Sequence, residues 1–218
     1  MESLINLIFS GGPVVAILFL FSVIALSIAL IKLWQQRNLN NINAEYYDNA
    51  IEHIANGENS KAKILLGNRD NPREDLIKKS LELQQLNNWS RNDLKEELNR
   101  LALRSIANSS SLLRVLEVIA ITAPLLGLFG TVLGMIEAFK AMEMAGTQVD
   151  PSVLSGGIWK ALLTTAIGLA VAIPVSLCNS WFEHRSKYLA MVLSDDISRL
   201  ITACHDHSKA YSQQTKQA

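Results

Sequence analysis

Charge is missing from this chain in three places, and the gaps are long. Pro13–Ile31, Val118–Ile136 and Ala161–Trp181 contain no Asp, Glu, Lys or Arg over 19, 19 and 21 residues. All 40 charged residues, 20 of each sign, fall in the other 159, at the density of ordinary soluble protein. A bilayer core of about 30 Å needs about 20 apolar helical residues, and each run reaches that length. A wholly soluble globular protein is excluded. Net charge is also lacking, so no domain-wide basic excess exists to neutralise phosphates, and a nucleic-acid binder of the usual kind is excluded with it. Cysteine is scarce: Cys178 lies in the third run and Cys204 in the polar tail beyond, a distribution that indicates no disulfide framework. Of four histidines, His205 and His207 stand two apart, which suits neither a helical metal pair nor a zinc pattern, so no metal or other cofactor is expected.

What is present is an ordered membrane layout. Residues 1–12 hold no Lys or Arg, so the first run lacks the basic lead of a signal peptide and reads as a retained helix. Basic residues cluster after run one (Lys32, Arg37), before run two (Arg104, Arg114) and after run three (Arg185, Lys187). The positive-inside rule then sets the N-terminus outside and the C-terminus in the cytoplasm. The expected organisation is all-α: a lead (1–12), span one (13–31), a cytoplasmic insert and stalk (32–117), span two (118–136), an outer connection (137–160), span three (161–181), and a cytoplasmic helix and tail (182–218).

Within the insert, 38–72 is rich in Asn and punctuated by Gly57, Gly67 and Pro72, which suggests short helices between turns. Ser90 and Asp93 stand three apart as a capping box, and Leu94, Leu98, Leu101 and Ile106 follow at helical spacing. No Gly or Pro occurs from Arg73 to Thr122, so the helix from Ser90 is expected to run unbroken into span two. Beyond span three, Leu189, Val192, Leu193, Ile197, Leu200 and Ile201 continue an apolar stripe through charged surroundings. The two extensions are expected to pair as a stalk.

Chemistry has to come from the polar residues of the later spans. Gly127, Gly130 and Gly134 in span two, and Thr164, Gly168 and Ala172 in span three, are small residues that allow close helix packing. Pro124 and Pro174 each remove a backbone donor and free a carbonyl. Thr131 and Thr165 add hydroxyls beside these stripes, as a narrow hydrated path or a partner helix requires. Threonine donates and accepts hydrogen bonds but holds no proton near neutral pH. Since no Asp or Glu lies inside the three runs, a proton path needs a carboxylate from elsewhere, and a partner with an acidic membrane residue is expected.

The run from Ala123 to Val132, APLLGLFGTV, with that from Gly157 to Pro174, GIWKALLTTAIGLAVAIP, resembles the MotA/TolQ/ExbB proton-channel family, nearest its ExbB-type biopolymer transporters. The resemblance covers 115–203, and the remainder by layout. It implies a subunit of the bacterial inner membrane, a pentamer around the helices of an ExbD- or TolR-like single-span protein that carries the titratable Asp. It also implies a TonB-like protein that passes the work to outer-membrane receptors. By position, Thr131 and Thr165 match threonines of the family's pore. Lys160 stands where the family pattern usually has Glu, and a cation there disfavours cation passage. Lys160→Glu is expected to leave assembly intact and raise proton-driven activity. A TolQ-like envelope role and a non-conducting scaffold are the alternatives; no nucleophilic, metal or phosphate-loop constellation suggests an enzyme.

Overall fold

The computed structural model describes residues 12–37, 45–67, 71–85, 90–145 and 151–214. The expected lead up to Gly11, with Asn38, Asn40, Asn41 and Asn68, lies outside the described residues, as do the side chains of Cys204, His205 and His207. Seven helices are described: α1 (Gly12–Arg37), α2 (Glu45–Ala55), α3 (Asn59–Leu65), α4 (Pro72–Gln85), α5 (Arg91–Ser110), α6 (Leu113–Ala145) and α7 (Pro151–Gln214). Among the described residues there is no strand, and three helical stretches are long and apolar enough to cross a membrane. The protein is an all-α membrane protein. Its helices outrun the charge-free runs: α1 continues to Arg37, α6 to Ala145, and α7 begins at Pro151, so most of 137–160 is helical.

Two compact units share the chain, Met1–Lys32 with Leu112–Phe182, and Leu33–Ser111 with Glu183–Ala218. In the first, the span unit, α1 packs through Val14 and Leu18 on Ala123 and Ala172, and through Ala25 and Ile28 on Leu113, Leu116, Val175 and Phe182. Most of each span's surface stays uncovered, with Leu125, Leu128, Leu162 and Leu177 all exposed. In lipid such residues need no cover.

The second, polar unit is built on large buried side chains. Tyr47, Ile51 and Ile54 of α2, Leu76, Ile77 and Leu81 of α4, and Leu94 and Leu98 of α5 form one core with Leu189, Leu193, Ile197 and Leu200 of α7. Each fully buried Leu or Ile there contributes about 1.5–3 kcal/mol. Turn chemistry sets the entries. Gly57 takes φ 80° after α2, and Asn71 Oδ1 accepts from Arg73 N at 3.0 Å at the start of α4. Ser90 Oγ accepts from Asp93 N at 3.2 Å, and Asp93 Oδ2 accepts from Ser90 N at 3.0 Å, completing the capping box of α5.

One expectation fails. The helix from Ser90 does not run unbroken into span two: it stops at Ser110, and a new helix starts at Leu113. Consecutive serines supply the physical reason. Ser110 Oγ donates to Ile106 O at 3.0 Å and Ser111 Oγ to Asn108 O at 2.7 Å, capturing carbonyls near the helix end. Ser111 turns extended and Leu112 takes φ 65°, a left-handed conformation costly for a branched residue.

Candidate functional site

The site is built on the seam between α6 and α7 within the span unit. A Cβ on Gly130 would lie 2.7 Å from Thr164 Oγ1 and 2.8 Å from its Cβ; one on Gly168 would lie 2.8 Å from Ala123 O and 3.0 Å from Gly127 Cα. Only hydrogen fits at either position. Gly127 faces the backbone of Thr164 and Thr165, Gly134 faces Ala161, and Gly157 faces Ala138. Small residues at four-residue spacing on both helices therefore bring two backbones together, the contact that dispersion favours where lipid offers no hydrophobic drive. Ala172 extends the seam toward α1.

The hydroxyls lie along this seam. Thr164, 2% exposed, shares its hydroxyl between Ala161 O at 2.7 Å and Gly127 O at 3.3 Å. Thr165 donates to the same Gly127 carbonyl at 3.2 Å and stays half-buried. Thr131, one helical turn beyond Gly127, is also half-buried and donates to Leu128 O at 2.7 Å. Of the two threonines singled out by sequence, Thr165 bonds across the seam to Gly127, and Thr131 bonds within α6. Pro124 and Pro174 sit inside α6 and α7 without ending either. Pro174 and Ala170, whose carbonyl it frees, line an apolar cleft of about 150 Å³ with Ser22, Ala25, Ala29 and Cys178.

Lys160 is not alone. Its Nζ lies 3.0 Å from Glu137 Oε2, across from it on α6. Sequence reasoning passed over Glu137, although it is the first acid beyond the second charge-free run. It also passed over a buried ion pair of the polar unit. Arg73 donates from Nε and Nη2 to the two oxygens of Asp196 at 2.6 and 2.8 Å, and from Nη2 to Asp48 at 3.0 Å; Arg199 donates to Asp48 at 2.7 Å. Burial pushes the Asp196 carboxyl up, and Arg73 offsets only part of that. Asp48 is held below the ordinary carboxylate range: partial burial opposes ionisation, but the hydrogen bonds and charges of Arg199 and Arg73 outweigh it. The signal was available, since Asp196 stands on the apolar stripe three residues after Leu193. Among the described residues, no group of three or more His, Cys, Asp or Glu is arranged to hold a metal.

The arrangement is a tightly closed pair of spans carrying hydroxyls and no carboxylate in their charge-free runs. Residues 68–195, more than half of the chain, match the family model described as the MotA/TolQ/ExbB proton channel family. The chain belongs to that family. It is 29% identical over 177 residues to a biopolymer transport protein ExbB homologue of Methanothermobacter thermautotrophicus, covering 81% of this chain and 61% of that one. It is 40% identical over 86 residues to the biopolymer transport protein exbB1 of Vibrio cholerae, 38% of each chain. A Tol-Pal system protein TolQ of Pseudomonas aeruginosa is 38% identical over 74 residues, 34% of this chain and 32% of that one. The matches span less than two thirds of the length of these relatives.

Proposed function

We propose that the chain is an inner-membrane proton-channel subunit of an ExbB-type energy-coupling motor, not an enzyme. Several copies, five by family resemblance, surround the single span of an ExbD-like protein whose Asp carries the proton. The observation that supports this most is the pairing of hydroxyls with an absence of acid. Thr165 bonds across the seam to Gly127 and Thr131 lies one turn beyond Gly127 on α6, while the three charge-free runs hold no carboxylate. Thr131 and Thr165 form the wall, Lys160 stands at its mouth, and the small-residue seam holds the wall in register. The N-terminus lies in the periplasm and the C-terminus in the cytoplasm. A TonB-like protein takes up the work for outer-membrane nutrient import. A TolQ-like envelope role is the second reading, supported by the TolQ relative.

Co-purification tests the proposal. A small single-span protein with an intramembrane Asp is expected to travel with the chain. Thr131→Ala and Thr165→Ala are expected to lower proton-driven activity while the complex stays assembled. An oligomer that purifies without such a protein, and whose phenotype ignores both substitutions, would be the non-conducting scaffold instead.

A further inference from the structure

One cross-helix ion pair in the span unit is unused by that reading. Glu137 precedes Ala138, which faces Gly157, and Lys160 precedes Ala161, which faces Gly134. The pair at 3.0 Å therefore sits at the edge of the seam, toward the C-terminal end of α6 and the N-terminal end of α7. A second positive element is close by. A Cβ on Gly12, the first residue of α1, would lie 3.9 Å from Lys160 Cε and 4.0 Å from Nζ. The first turn of a helix carries unpaired N–H groups and the positive end of its dipole. An ammonium beside it is unfavourable unless a negative charge joins them, and Glu137 supplies one.

We infer that Glu137 is the positioning residue for Lys160. Its carboxylate fixes the ammonium at this end of the α6–α7 hairpin and cancels its charge, so a proton entering along the threonine edge meets a neutral pair. The field of an isolated charge falls more slowly with distance than that of a close pair. This rests on the proton-channel reading of the span unit. It also revises the expectation for Lys160→Glu. That substitution sets two carboxylates against each other and exchanges a neutral pair for net negative charge. The informative variants are therefore those that keep the pair neutral.

The chain with its single-span partner, in vesicles under a potassium diffusion potential, is to be compared as wild type, Glu137→Gln, Glu137→Gln with Lys160→Gln, and Glu137→Lys with Lys160→Glu. Glu137→Gln is expected to lower proton flow about tenfold or more. Both double variants are expected to restore most of the loss, because each returns the site to zero net charge. A double-Gln variant as impaired as Glu137→Gln would make the pair a mechanical latch and overturn the inference, as would undiminished flow in Glu137→Gln. A second readout needs no proton flow. Acylation of Lys160 in micelles, followed by peptide mass spectrometry, is expected to speed up in Glu137→Gln, since loss of the carboxylate frees the amine. Unchanged acylation overturns the pairing itself. Wild-type vesicles that pass no protons would sink the channel reading and leave the acylation result to decide the pair.

Discussion

The span unit and the polar unit solve the same packing problem with opposite materials. The polar unit excludes water by burying Tyr47, Ile77, Leu98 and Leu193 almost completely, and it sinks an Arg73–Asp196 pair among them. The span unit buries few large residues where α6 meets α7; it brings Gly130 against Thr164, and Gly168 against Ala123 and Gly127, closely enough that a single methyl does not fit. The difference follows from solvent. Apolar area removed from water is worth about 25 cal/mol per Å², whereas the same area moved from lipid to protein gains little, so contact in a bilayer depends on close approach and shared hydrogen bonds. Large side chains hold the polar unit; absent side chains hold the span unit.

The comparison can be broken in order of effect. Asp196→Ala takes both short carboxylate bonds from the buried Arg73 guanidinium and leaves it the half-exposed Asp48, so a loss of about 3 kcal/mol is expected in unfolding followed in micelles, most of it recovered by pairing Arg73→Met with Asp196→Leu. Leu98→Ala in the polar core is expected to cost about 2–5 kcal/mol, while Leu128→Ala, exposed on α6, changes stability by a few tenths at most; equal losses would erase the solvent distinction. Gly168→Ala forces a methyl against Ala123 O and Gly127 Cα and is expected to cost about 1–3 kcal/mol, an effect that α1, α6 and α7 alone should feel. Thr164→Val keeps the shape and removes one shared hydroxyl, so the expected loss is about 0.6 kcal/mol. The smallest effect is a slope. Because Asp48 is held below its ordinary value, its contribution is present above the unfolded carboxylate pKa and lost as pH falls through the folded one. Acid titrations of Asp48→Asn should be flatter than wild type in that window.

The fold was legible where one rule decides. Charge-free runs gave the three spans, the Ser90–Asp93 spacing gave the start of α5, and four-residue spacing marked Gly127, Gly130, Thr164 and Gly168 as packing residues. The break at Leu112 was illegible because no Gly or Pro signals it; Ser110 and Ser111 end the helix by taking carbonyls, a competition whose winner depends on the surroundings. Glu137 and Lys160 are 23 residues apart and meet only because α6 and α7 pack in one register. Asp48, Arg73 and Asp196 come from three helices, so a charge on an apolar stripe was visible and its partners were not.

Proton flow into vesicles under an imposed potential tests the central claim most directly, with this chain alone, with the proposed single-span partner, and with that partner's proposed intramembrane Asp replaced by Asn. The account predicts flow only when both polypeptides are present and its loss with the Asn partner. Flow through this chain alone, or flow undiminished by Asn, would contradict it.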